Sequence, residues 1–211
     1  MRVAVITCDA FRDAWEPFRA LFTKFWPECP YPVTWYSDNG TASWCSVVLG
    51  CANESNAPIL LLQEDFFMSQ PVRQSVVEHG LRLMMLRNAG ALRLYPSVGG
   101  IDDIGDPYFA AVPRGTRYRL SCQASIWNPE YLAEIARRSM ETTSEAGDFE
   151  NLGGPQGDLL PNEVLAFKRD LKPWPFEYIA TAIVRGRWNP DALKLCAEHG
   201  IAIDTSRRAI A

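Results

Sequence analysis

The sequence predicts a single α/β domain, a mixed and mainly parallel sheet flanked by helices, and three observations carry that expectation. Ile59-Leu60-Leu61-Leu62 is an unbroken apolar run that ends in Gln63-Glu64-Asp65. A short continuous run of this kind is the mark of a strand buried on both faces, as in a parallel sheet. The chain also opens in the order strand, helix, strand, the beginning of a right-handed βαβ unit. Its 211 residues suit one domain and can bury most of the surface of the unfolded chain.

Arg2-Val3-Ala4-Val5-Ile6-Thr7-Cys8-Asp9 reads as the first strand, ending in small and polar residues. A helix is expected from about Asp13 to Trp26, with Trp15, Phe18, Phe22 and Phe25 three or four apart on one packing face, and Pro27 and Pro30 stop it. Val33–Tyr36 is the second strand, followed by the turn Ser37-Asp38-Asn39-Gly40. Trp44–Glu54 reads as a helix and Ile59–Leu62 as the central strand. Ser69 and Pro71 mark a helix start, with the helix running to about Asn88 and closed by Gly90. His79 falls inside it as a surface residue.

Ala91–Tyr95 alternates as a strand, and Gly99–Pro107 reads from its glycines and proline as a mobile turn, with competition of its three aspartates for a metal as the alternative. Tyr108–Val112 and Tyr118–Ile126 are expected to pair with each other across Pro113–Thr116. Asn128-Pro129 caps a helix to about Met140. Glu141–Gly157, polar and glycine-rich, reads as a loop over the site, and Leu159–Arg169 as a short helix. Tyr178–Val184 is a strand, and Asn189-Pro190 opens a last helix that ends at His199-Gly200.

Composition excludes several classes. The net charge of −4 gives no basic footprint of a general nucleic-acid binder. No run approaches the ~18 apolar residues of a membrane span, and no signal peptide is read at the start, so a cytoplasmic protein is expected. Six cysteines without a Cys-x-x-Cys pair, and two distant histidines, argue for buried thiols rather than a zinc site or disulfides.

The chemistry concentrates at Glu64-Asp65. In open α/β sheets ligands bind beyond the carboxyl ends of the strands. Two adjacent carboxylates there repel each other unless a cation is near, and a divalent metal is the simplest one. The alternative is a solvated turn or a helix cap. Thr7, Asp9 and Asp38 fall at the same edge, where they hold a ribose or a base, or where Asp38 only shapes its turn.

Read with these positions, the chain resembles a family of small bacterial and phage glycosyltransferases of the GT-A type. The resemblance runs through most of the chain. It rests on Ile59–Phe67, on Tyr118–Leu132, on Asp148-Phe149-Glu150 and on Arg185-Gly186-Arg187-Trp188. It implies a GT-A-like (Rossmann-like) fold with a nucleotide-sugar-binding half over about residues 1–96 and an acceptor-binding half over about 97–211. Glu64-Asp65 stands where such enzymes carry Asp-x-Asp, but Phe66 follows in place of a second spaced aspartate. Asp65 is then the residue for Mn or Mg or for the donor diphosphate, with Glu64 near the donor ribose or sugar.

The resemblance further implies Glu150 as the general base that activates an acceptor hydroxyl. Arg185 and Arg187 meet the diphosphate or are surface charges of a turn. Gln123 and Trp127 hold the acceptor sugar through amide and ring, or pack in the core. The activity expected is transfer of a sugar from a nucleotide diphosphate, with inversion, to a hydroxyl on a glycan, a lipid-linked sugar or a hydroxylated nucleobase of phage DNA. A sugar nucleotidyltransferase is a competing reading, although Thr7–Arg12 lacks its glycine-rich basic loop, and a non-catalytic nucleotide-binding or interaction protein is another.

Overall fold

The computed structural model describes residues 1–96, 101–141, 149–150, 160 and 162–211. The central strands form where the buried apolar runs are. Arg2–Thr7 (β1) lies between Val33–Ser37 (β2) and Ile59–Gln63 (β3), parallel to both, with Val5 opposite Trp35 on one side and Leu62 on the other. Phe67–Met68 (β4) leaves this sheet. The sheet continues with Ala91–Arg93 (β5), Asp102–Asp103 (β6), Phe109–Ala111 (β7), Ser125–Trp127 (β8) and Val164–Phe167 (β9), in the order β2-β1-β3-β8-β5-β9-β7-β6.

β8 is antiparallel to both its neighbours, so Ser125 stands opposite Leu61 and Arg93. β9 is parallel to β5, and β7 is antiparallel to β9 and β6. Most strands therefore share one direction, with β7 and β8 reversed. Because β8 is reversed, the segment that enters it arrives at the carboxyl ends of β1, β3 and β5. It also interleaves the two expected halves of the chain within one sheet.

Helices cover both faces. Trp15–Phe25 (α1), Gln74–Leu86 (α3) and Pro190–Glu198 (α5) pack on the face carrying Val3, Val5, Leu60, Leu62, Leu92 and Ile126. Trp44–Asn53 (α2) and Pro129–Met140 (α4) cover Ala4, Ile6, Ile59, Leu61 and Ala91. A 3-10 segment, Asp9–Ala14, precedes α1, and Pro17 is accommodated in the first turn of the helix, where its missing N–H costs no bond. Ser43, Asn128 and Asn189 cap α2, α4 and α5 by accepting first-turn backbone N–H groups.

Four element readings need correction. α3 begins at Gln74 rather than near Ser69, because Phe67–Met68 pairs with Tyr178–Ile179 (β10) and the Ser69 N–H is held by the Glu177 carbonyl. It ends at Leu86, with Asn88 in the left-handed region at φ 49. Gly90 serves instead as a close approach, since a Cβ there would lie 2.6 Å from the Tyr131 ring. Tyr108–Val112 and Tyr118–Ile126 do not pair with each other. β7 joins β9 and β6, β8 joins β3 and β5, and the chain before β8 is irregular, with Tyr118 at φ 56.

The expected helix near 159–169 is, in its described part, the fully buried strand β9, an apolar run too short to reveal its period. Tyr178–Val184 divides between β10 and Ile183–Val184 (β11), which pairs with Arg187–Trp188 (β12) across a turn. All six cysteines are free thiols, and among the described residues no helix is long and apolar enough to cross a membrane.

Candidate functional site

β1 and β3 end side by side, and their ends open into a cavity of about 420 Å³ lined by Thr7, Cys8, Phe11, Asp38, Trp44, Glu64 and Asp65, among others. Glu64 and Asp65 are only 4% and 8% exposed. The Cys8 N–H donates to Glu64 Oε1 at 2.9 Å, and the Thr181 hydroxyl donates to Asp65 Oδ2. The Asp65 carbonyl accepts from the Ala182 N–H, so the turn into β11 is fastened to the acidic pair.

Among the described residues no lysine or arginine lines the cavity, and neither acid makes an ion pair. Burial, with the neighbouring Asp65 charge, pushes the Glu64 carboxyl up to about 8, and burial pushes Asp65 up to about 7. Burial and the Glu64 charge push the Cys8 thiol up to about 12, so at neutral pH it is held mainly as the slow-reacting thiol.

The other donor-side residues meet at the same edge in different roles. Thr7 is buried, and its hydroxyl donates to the Tyr36 carbonyl. Asp38 Oδ1 accepts from the Asp9 and Gly40 N–H groups, so Asp38 both shapes its turn and lines the cavity. Asp9 Oδ1 accepts from Ser37 and Arg12. Arg185 and Arg187 are exposed on the β11–β12 turn, with Arg185 at φ 51 and Gly186 at φ 76.

Glu150 comes to this edge through the segment before β8. Its Oε1 accepts from the Ser121 hydroxyl at 3.0 Å and from the Cys122 N–H at 2.8 Å. The Cys122 carbonyl in turn accepts from Gln63 Nε2 at 3.3 Å, one residue before Glu64. Gln123 Oε1 accepts from the Tyr178 hydroxyl at 2.5 Å, and Tyr178 stacks on Phe66 with ring centroids 4.6 Å apart. Gln123 is therefore at the edge with its carbonyl oxygen engaged. Asp148 and most of the loop expected over the site lie outside the described residues.

Trp127 is not at this edge. It is 1% exposed, stands opposite Ile59 at the amino end of β3, and packs on Tyr131 and Phe149. Its expected contact with an acceptor is corrected to core packing, because β8 runs opposite to β3 and carries its last residue away from the carboxyl edge. The aspartates after Ile101 are also elsewhere. Asp103 pairs with Lys168, and Asp106 with His79 at 2.6 Å.

Two residues at the edge escaped sequence reading. Trp44, in the first turn of α2, lines the cavity and meets Phe149 edge-on at 5.2 Å, beside Glu150. Arg93, 2% exposed at the end of β5, donates to the carbonyls of Tyr118 and Pro96, and burial pulls it down to about 10. Alternation along Ala91–Tyr95 conceals an arginine as a solvent-facing residue, and only the position of β5 inside the sheet buries it.

Among the described residues no group of three or more His, Cys, Asp or Glu side chains is placed to hold a metal ion. The acidic pair by itself supplies hard oxygen ligands without a cage. That fits a cation such as Mg that is bound through one or two carboxylates plus phosphates and water. Clefts of about 450 Å³ around Asn88 and Asn128, and of about 520 Å³ around Phe25 and His199, lie away from these acids. No protein-family model matches the chain, and no curated protein matches it.

Proposed function

We propose that the chain is a glycosyltransferase that moves a sugar from a nucleotide-diphosphate donor to a hydroxyl acceptor, on a GT-A-like fold. One observation carries this reading. A cavity with a buried acidic pair lies at the carboxyl edge of the parallel strands, and a carboxylate on a separate element, Glu150, reaches the same edge through Gln63 and Cys122. Edge position is where open α/β sheets bind nucleotides.

In this reading Asp38 and Asp9 meet the ribose or base, and the apolar wall of Phe11 and Trp44 covers a planar ring. Glu64 lies near the donor ribose or sugar, and Asp65 faces the diphosphate. A divalent cation brought with the donor would neutralise the diphosphate as it leaves, and Asp65, with Glu64 beside it, would hold it. Arg185 and Arg187 are the cations that stabilise the departing charge from outside the cavity. Glu150 takes the proton of the attacking hydroxyl, while Ser121 and Cys122 hold its other lone pairs and so fix its direction. Attack from the face opposite the diphosphate inverts the anomeric carbon. The acceptor is a glycan, a lipid-linked sugar or a hydroxylated nucleobase.

The test is a thermal-shift and calorimetric titration with UDP, GDP, CDP and their sugars, with and without Mn or Mg. A ligand that binds only the folded chain raises the melting temperature. A metal-dependent shift with one nucleotide, followed by sugar transfer in acceptor assays, is the expected result. Binding without transfer would support a nucleotide-binding protein, and no binding by folded protein would overturn the reading.

A further inference from the structure

Asp13 and Arg208, 195 residues apart in the chain, form a bidentate ion pair with both contacts at 2.7 Å and side chains only 5% and 10% exposed. The same guanidinium donates to the Ala10 carbonyl at 2.7 Å and to the Gly186 carbonyl at 3.2 Å. It also lies over the rings of Phe11 and Trp188, at 5.0 and 5.6 Å. Ala10 and Phe11 line the acidic cavity. Gly186 is the apex of the turn that carries Arg185 and Arg187. Residues 209–211 are held against Trp188 by backbone bonds in both directions, which brings Arg208 to this place.

One side-chain head thus spans three pieces of chain that nothing local would bring together. A bidentate guanidinium–carboxylate pair fixes direction as well as distance. Its burial makes either partner costly to leave alone. Neither Ala10 nor Gly186 has a side chain that could fasten its own turn, so their carbonyls are the handles by which the cavity rim and the arginine turn are set against each other.

We propose that Arg208, from behind the cavity, is a positioning residue that holds the Ala10–Phe11 rim in place and registers the Arg185–Arg187 turn beside that rim. The consequence for ligand binding rests on the nucleotide-sugar reading above: a diphosphate leaving the cavity past Ala10 meets the two turn arginines only when Arg208 is in place.

Cys8 and Cys29 give a direct test that needs no ligand. Both are half-buried, but Cys8 lines the cavity, whereas Cys29 lies away from it and its thiol bonds to the Tyr31 carbonyl. The rate of N-ethylmaleimide labelling at each is followed by mass spectrometry in the full chain. Arg208→Met is expected to speed Cys8 labelling about tenfold by local opening, with Cys29 unchanged within about twofold. Arg208→Lys, which keeps the charge and loses the fork, should fall between, and Asp13→Asn should resemble Arg208→Met. For Arg208→Met the sign is diagnostic, because loss of a nearby positive charge alone would make the thiol harder to ionise and slow its labelling, whereas Asp13→Asn is read only as agreement with it.

Unchanged or slower labelling of Cys8 would overturn the proposal, and so would equal acceleration at both cysteines, which reports general loosening. Labelling of the unaltered chain with UDP, GDP or CDP and Mn present tests the other reading separately. Protection of Cys8 supports nucleotide binding in the cavity. Its absence counts against that binding and leaves the Arg208 result standing.

Discussion

Gln63 donates its side-chain amide to the Cys122 carbonyl at 3.3 Å, and this bond joins the acidic cavity to the segment that holds Glu150. Gln63 is the last residue of β3, and Cys122 precedes the reversed strand β8. The pairing of those strands therefore sets the distance between the acidic pair and Glu150. Gln63→Leu should leave nucleotide affinity within about twofold and lower transfer by about tenfold, the size expected when a reacting group is misplaced rather than removed. Calorimetry and acceptor kinetics on one preparation separate the two quantities.

Glu150→Gln keeps an oxygen able to accept from Ser121 and Cys122 and removes only the basicity. Transfer should fall by about 10²–10⁴-fold, the usual contribution of a positioned base, with donor binding unchanged. Turnover close to that of the unaltered protein would remove Glu150 from the chemistry.

The buried acids make stability depend on pH. Glu64 at about 8 and Asp65 at about 7 lie above the ordinary values of their unfolded forms. The folded chain consequently binds more protons than the unfolded chain between roughly pH 4 and pH 8, and stability falls as pH rises through that window. Below it, both states are protonated and the penalty vanishes. Glu64→Gln retains the acceptor for the Cys8 N–H and should melt higher than the parent at pH 8, with the difference disappearing near pH 4. A difference that grows toward low pH would mean that Glu64 is ion-paired in the fold.

Asp65→Ala should abolish the metal-dependent part of nucleotide binding. In the unaltered protein Mn or Mg should increase the melting shift produced by the preferred nucleoside diphosphate, and a chelator should reverse it by mass action. Equal shifts with and without metal, in both proteins, would leave Asp65 with a structural role as acceptor for Thr181.

Gly90→Ala tests the packing of α4 on the sheet. The added Cβ would lie 2.6–2.8 Å from three atoms of the buried Tyr131 ring, which itself stacks on Trp127. The atoms met include the base of the ring rather than a flexible tip, so the ring must shift as a whole, and overpacking of this kind costs about 1–3 kcal/mol. Urea denaturation would read the loss as a lower midpoint with an unchanged slope.

The amino-acid sequence by itself determined the elements whose signal is local. β1, β2, β3, α2, α4 and α5 stand close to where periodicity and caps place them, since burial period and capping chemistry act over a few residues. It also marked Glu64 and Asp65, because acids ending an apolar run stand out without a partner in view. Only the tertiary structure decided the direction of β8, and with it the placing of Glu150 and Gln123 at the acidic edge and of Trp127 in the core. Three residues make a strand too short to declare its partners, so its slot between β3 and β5 is chosen by the whole sheet. The bonds of Thr181 to Asp65 and of Arg208 to Asp13 span 116 and 195 residues. No pattern in the chain announces them, because they exist only once the fold has brought their elements together.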